Sequence, residues 1–136
     1  MSKYNSKKIV IDGITFDSKD EGMYYEYLKK LKAEEKILNF ELQPKFELIP
    51  TFKYKGKTVR GETYTLDFLV YHLDGSEEYI DVKGFGTPQG KDKFKHLKYL
   101  HQDKDFKWIA RSLKYGIDGW IEYDELMKIR RENKKK

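Results

Sequence analysis

Cysteine is absent from this chain, and with it go disulfides, thiolate zinc sites and cysteine nucleophiles. That absence suits a reducing compartment, and the cytoplasm is the expected location. Proline is scarce, at three residues, and two of them, Pro44 and Pro50, punctuate one stretch, "QPKFELIP". No apolar run approaches the roughly 18 residues that span a bilayer, and no secretory leader is read at the start. A membrane partner is therefore not expected. Repeats and low-complexity linkers are lacking too, and 136 residues suit one domain with a real core. Bulk for that core is plentiful, with 11 Tyr, 8 Phe and 2 Trp.

The body of the chain also lacks net charge. Residues 128–136 hold six Lys or Arg and one Glu, which accounts for the whole net charge of +5. The 127 residues before them carry 22 basic and 22 acidic groups. The expected organisation is a single domain over residues 1–127 and a basic tail over 128–136. Such a tail is either a solvated end or a contact for a polyanion. Within the body, Lys91 to Lys114 is a basic stretch, with eight Lys or Arg against three Asp.

Periodicity and turn residues order the elements. "KKIVIDGITF" reads as two short strands around Asp12-Gly13. Ser18 opens a helix to about Lys36, with Tyr24, Leu28 and Leu31 on one stripe. "ILNFELQPKFELIP" is extended and broken at Gln43-Pro44, and further strands are punctuated by Lys55-Gly56 and Asp74-Gly75. A helix follows over about Pro88 to His101, with Phe94, Leu97 and Leu100 at helical spacing. "FKWIA" reads as the last strand, and Tyr123 to Arg131 as the last helix. The expected class is α/β, as an α+β mixed sheet with helices packed on it.

The central hairpin carries the chemistry. A strand from Glu62 to His72 meets a strand from Ser76 to Lys83 at Leu73-Asp74-Gly75. A three-residue loop with Gly75 at positive φ puts His72 opposite Ser76 and Asp67 opposite Asp81. A two-residue loop would instead put the two aspartates on opposite faces. Under the first register the Cβ atoms of the pair lie about 5 Å apart, where two carboxylates repel unless something positive sits between them. A hard divalent cation, magnesium above all, fits oxygen ligands of this kind. Lys83 lies on the same face, two residues along. Leu66 and Phe68, the neighbours of Asp67, are expected on an opposite, core face.

Glu21 stands at the start of the helix stripe and points toward whatever that helix packs on. It also completes "SKDE", a capping box in which Glu21 would bond back to the Ser18 amide. Either role accounts for it alone. Three acids and a lysine on converging faces are the parts of a metal-dependent phosphodiesterase.

The residues "TLDF", "IDVKG" and "SKDEGMYYEYL" together resemble the signature of the PD-(D/E)XK nuclease superfamily. That signature is an Asp at the start of one strand, an acid-x-Lys on the next, and often a Glu on the first helix. The sequence resembles more closely a family of small phage and prophage proteins catalogued as a domain of unknown function. The blocks "FDSKDEGMYYEYL", "NFELQPKFELIP", "YTLDF" and "IDVKGF" carry that likeness over roughly residues 4 to 110. Leu66 replaces the proline that often precedes the first Asp, and Asp81 stands where Glu is common.

The resemblance implies a restriction-endonuclease-like core, with helix, antiparallel meander, helix and strand in that order and flanking helices. It implies a magnesium-dependent endonuclease of phage origin acting on DNA, in the host cytoplasm, with manganese able to substitute. Asp67 and Asp81 would be metal ligands together with the carbonyl of Val82. Glu21 would be a ligand directly or through water, and Lys83 the catalytic lysine. Lys91, Lys93, Lys95 and Lys98 precede or line the helix after that strand and are the expected DNA contacts, the alternative being a solvated amphipathic face. Small phage members of the superfamily include Holliday-junction resolvases, so the resemblance offers branched DNA as one substrate, with a nicking or single-strand nuclease as the other fit. A resolvase would imply a homodimer because it needs two active sites. A non-catalytic DNA- or protein-binding module on the same fold is the alternative. "GFGTPQGKDK" is glycine-rich and is expected to be a mobile loop reaching substrate. Gln43 has no assigned role beyond turning the chain at Pro44.

Overall fold

A computed structural model describes residues 7–135. Residues 4 to 6 of the stretch just compared, and Lys136 of the basic end, lie outside the described residues. The chain opens with the hairpin β1 (Ile9–Ile11) and β2 (Ile14–Phe16). Its turn uses Asp12 and Gly13, both at positive φ, 53° and 76°, as the two-residue primed turn requires. Helix α1 (Lys19–Ala33) starts at Ser18, whose Oγ accepts the Glu21 amide at 3.1 Å. Asp20 and Glu21 occupy the first turn and Lys30 and Lys32 the last, as the helix dipole favours.

Strands β3 (Asn39–Leu42), β4 (Lys45–Ile49), β5 (Phe52–Tyr54), β6 (Lys57–Val59), β7 (Glu62–Thr65), β8 (Phe68–Tyr71) and β9 (Glu77–Val82) follow. Helix α2 (Pro88–Leu100), β10 (Phe106–Arg111), β11 (Trp120–Glu122) and α3 (Tyr123–Lys134) complete the chain. The main sheet has five strands in the order β11-β10-β9-β8-β3, with β10 parallel to β9 and the other pairs antiparallel. The α/β, mixed-sheet class read from the sequence is the observed one.

Both faces of this sheet are covered. Phe68, Val70, Ile80, Val82, Ile109 and Trp120 point to the α1 side, where Tyr24 meets Trp120 edge-on at 4.8 Å. Leu69, Tyr79, Trp108, Ala110 and Ile121 point to the other side, onto Phe94 and Leu97 of α2 and Leu126 of α3. Burial of both faces corrects the expectation that the aspartates lie on a polar face opposite the core. Leu66 and Phe68 belong to different sides of the core, because the chain turns between them.

That turn is the main departure in the strands. The single strand expected over Glu62–His72 is two. Its first part, β7, pairs with β4, and its second part, β8, pairs with β3 and β9. Leu42 faces Phe68 and Lys45 faces Thr65, so one register runs through the break and both strands bend together. The partner breaks at Gln43-Pro44, where Gln43 sits at φ 56° and Pro44 has no N–H to give a ladder. The corner is closed by Gln43 N–H to the Asp67 carbonyl at 2.9 Å and Leu66 N–H to the Pro44 carbonyl at 2.9 Å.

Three smaller corrections follow. "FKWIA" is not the last strand, since β11 adds an antiparallel edge to it. Leu100 is exposed, because α2 ends there and its last turn faces water. The charge boundary at residue 128 is not a structural one: α3 continues to Lys134, so most of the basic end is helix.

Candidate active site

Strands β8 and β9 pair with Phe68 facing Ile80 and Tyr71 facing Glu77, the register of the three-residue loop. His72 N–H reaches the Ser76 carbonyl at 2.9 Å, and Gly75 takes φ 89°. Asp67 sits one residue before β8, its N–H bonded to the Ile80 carbonyl at 3.0 Å, and so stands across from Asp81. Oδ2 of Asp67 accepts the Val82 amide at 2.7 Å. The Asp67 and Asp81 carboxyl groups act on each other at close range, and two carboxyl groups so placed favour a proton on one of them.

Burial, then the adjoining Asp81 carboxylate, and then Glu21 push the Asp67 carboxyl far above the usual carboxylate range. The Val82 amide opposes them only weakly. A proton on Asp67 relieves the repulsion between the two groups.

Among the described residues, Asp81 is the charged side chain buried in the core, at 5 % exposure. Its Oδ2 accepts the Tyr64 hydroxyl at 2.7 Å and meets Lys83 Nζ at 3.1 Å. Tyr64 in turn accepts the Trp108 indole N–H at 2.9 Å. Trp108 faces Asp81 directly across the parallel pairing of β9 and β10, and Lys83 Nζ stands 5.1 Å from the centre of its ring. The Lys83 backbone N–H is tied to the Ile109 carbonyl at 2.7 Å. Tyr64 and Trp108 were missed in the sequence. A tyrosine on a strand reads as core, and no short turn fixes the register of β10.

Replacing Tyr64 by Phe removes one oxygen from two buried contacts. The Trp108 N–H is then left unpaired and Asp81 loses a donor. The expected cost is about 1–3 kcal/mol, read as a lower midpoint in urea unfolding with the slope unchanged.

Glu21 approaches from α1. Its carboxyl is pushed up to about 7, first by burial and then by the Asp17 carboxylate, with Asp81 adding to the rise and Lys83 opposing it. The side chain takes a backbone hydrogen bond at Asp17, while its own amide caps on Ser18, so the capping box is only half formed. Glu21, Gln43 and Asp67 line one cavity of about 140 Å³ whose apolar wall includes Phe16 and Phe68. Among the described residues no three Asp, Glu, His or Cys side chains are gathered closely enough to hold a metal. The two aspartates are together, and Glu21 faces Asp67 from another wall. Gln43, at positive φ, holds an uncommon conformation for a residue with a side chain, at the rim of that cavity.

The four lysines of α2 have different surroundings. Lys95 is exposed, Lys98 lies over the Phe94 ring at 4.8 Å, and Lys93 turns to Glu62 at 3.9 Å. Lys91 lines a groove of about 410 Å³ with Arg130, Arg131 and Lys134 of α3. The loop before α2 is tied to α3 at Gly86. The Gly86 amide donates to the Tyr123 hydroxyl at 2.9 Å, and a Cβ there would stand 2.8 Å from the Trp108 ring.

No helix among the described residues is long and apolar enough to cross a membrane. No curated protein matches the chain. A family model does match, over residues 1–117, up to the start of the turn before β11. The chain belongs to that family, described as Protein of unknown function (DUF1064).

Proposed function

We propose that this protein is a metal-dependent endonuclease that hydrolyses DNA phosphodiester bonds, with a site of the PD-(D/E)XK kind. The observation that carries the reading is the buried pairing of Asp67 with Asp81, with the Lys83 ammonium 3.1 Å from Asp81. The order α1, antiparallel β3-β8-β9, α2 and parallel β10 supports it as the core that such a site uses.

The donors suit a hard cation. They are carboxylate oxygens and a backbone carbonyl, and their mutual repulsion is relieved only by a proton or a positive ion. Asp67, Asp81 and the carbonyl of Val82 would hold magnesium, or manganese in its place, with Glu21 joined through water. When bound, the ion supplies neutralising charge to the phosphate and a more acidic water.

The chain's own groups do the rest. Tyr64 and Lys83 both engage Oδ2 of Asp81, which orients that carboxylate and leaves Oδ1 for a cation. Lys83, fixed through its backbone and backed by Trp108, presents an ammonium to the charge that develops on the phosphate oxygens. Water forms the new P–O bond, and the sugar oxygen leaves with the electron pair and takes a proton. Glu21, with a carboxyl near neutrality, is suited to hold or pass a proton at the cavity wall.

A second reading is a DNA- or protein-binding module on the same fold, favoured by the lack of a three-acid cluster among the described residues. Purified protein and Asp81→Ala are incubated with a labelled four-way junction, a linear duplex and single-stranded DNA, in magnesium, manganese or chelator. The nuclease reading expects cutting with either metal, none with chelator and none by the variant. Preferential cutting of the junction would extend it to resolvase-like action by a homodimer. No cutting of any substrate, with DNA binding equal in both proteins, supports the module.

A further inference from the structure

The hairpin formed by β5 and β6 has no use in the site described above. Every residue from Thr51 to Arg60 is exposed, and none of the described elements covers it. A two-stranded ribbon standing alone is marginal in water, and exposed large apolar side chains on it call for a partner. Phe52, Tyr54 and Val59 are 43 %, 59 % and 37 % exposed. Phe52 faces Val59 and Tyr54 faces Lys57, so the aromatic pair and one lysine share a face.

Charge identifies the partner. The ribbon carries Lys53, Lys55, Lys57 and Arg60 and no acid, and none of these four is ion-paired among the described residues. Lys55 Nζ instead stands 5.4 Å from the Tyr54 ring centre. Lysines on edge strands commonly serve to prevent aggregation, but that role does not account for uncovered aromatics beside them. A second copy of the chain would bring the same four cations, so self-association is opposed. A nucleic-acid strand offers both things the ribbon lacks, phosphates for the cations and flat bases for the rings. A two-stranded ribbon also enters the major groove of a duplex.

The root is fixed where the blades are bare. Gly61 N–H bonds Thr51 Oγ1 at 3.0 Å, and a Cβ on Gly61 would lie 2.2 Å from the Ile49 carbonyl oxygen, so no side chain fits there. From Gly61 the chain runs along β7 to Asp67, and six extended residues reach at most about 20 Å. A helical turn of DNA is about 34 Å long. The root of the ribbon therefore lies within one helical turn's length of the Asp67–Asp81 site, and a duplex is long enough to reach both.

We infer that β5–β6 is a nucleic-acid-binding arm that grips the nucleic acid beside the Asp67–Asp81 site. Its identification of the polyanion as DNA rests on the nuclease reading. The test measures anisotropy of a labelled duplex longer than one turn, and of a single strand, in chelator over a range of salt. Protein, K53A/K55A/K57A/R60A and Y54A are compared.

The four-fold variant is expected to keep its circular dichroism and melting temperature, since it alters only exposed residues. It should lose at least about tenfold in affinity, with a salt slope shallower by about two to four. Tyr54→Ala should weaken the single strand by about fivefold or more. Affinity and salt slope unchanged in the four-fold variant would overturn the proposal. So would a wild-type protein that binds neither DNA, or a ribbon whose loss changes only the mass in solution. Binding in chelator is independent of catalysis. Ribbon-dependent binding without cleavage leaves the arm standing and removes the nuclease, and cleavage with ribbon-independent binding does the reverse.

Discussion

Lys83→Ala is expected to lower the rate of DNA cleavage by at least about a hundredfold, the scale of losing one group aimed at transition-state charge. Metal affinity and DNA affinity should change little. Three contacts hold Lys83 in place, namely its amide on Ile109, its ammonium on Asp81 and the Trp108 ring beneath it. A structural counter-ion and a catalytic ammonium would both use the Asp81 contact, so activity and stability must be read separately. Asp81 keeps the Tyr64 hydroxyl in the variant, and the fold should survive with a lower melting temperature. Lys83→Arg retains charge but not shape, and only partial activity should return. Wild-type cleavage by Lys83→Ala, measured below its melting point, would make the residue a counter-ion only.

Asp67→Asn is expected to make the metal-free protein more stable at pH 8 while abolishing its affinity for magnesium. The Asp67 carboxyl is raised in the fold, so the native state holds a proton that the unfolded chain has released. Its contribution is fully present below the unfolded value of about 3.9 and is lost as pH rises through the folded one. Metal-free stability should therefore fall from pH 5 to pH 8.

The amide of Asn imitates the protonated acid. Its oxygen can accept the Val82 amide while its NH2 donates to Asp81. Asn needs no proton taken up from solvent on folding, so the variant should gain about 2 kcal/mol at pH 8, or roughly 6–10 °C in melting temperature for a domain of this size. At pH 4 the two proteins should melt together. Glu21, raised by burial, is present in both and tilts both curves alike. Identical pH dependence in the two proteins would mean that Asp67 carries no excess proton.

The parts of the site that were legible in the sequence are those fixed by local chemistry. The loop Leu73-Asp74-Gly75 is short enough that its turn sets the register of β8 and β9, and Asp67 meets Asp81 as a direct result. Ser18 likewise marks the start of α1, and with it the turn from which Glu21 projects. The α2 face of Phe94 and Leu97 follows from spacing alone.

What was not legible depends on contacts distant in sequence. The bend at Leu66-Asp67 is shared with Gln43-Pro44, more than twenty residues earlier, and neither half announces the other. Trp108 reaches Asp81 through a helical crossover, which sets no register in advance. The basic end looked like a tail because charge was read without its periodicity. Met127 and Ile129 pack on the core and carry α3 through it. The α2 lysines share a helix face, but a helix face is not a site, and neighbours such as Glu62 and Phe94 decide where each ammonium goes.

In the proposed site, Asp67 and Asp81 are held together so that they can share a cation. Manganese titration, followed by loss of the free-ion signal in electron paramagnetic resonance, measures this without any substrate. Saturable binding is expected in the wild type and in Lys83→Ala, rising in affinity with pH as Asp67 gives up its proton, and no such binding is expected in Asp67→Asn. Equal binding by Asp67→Asn, or none by the wild type, would contradict the account and leave the pair as two carboxyl groups sharing a proton in the core.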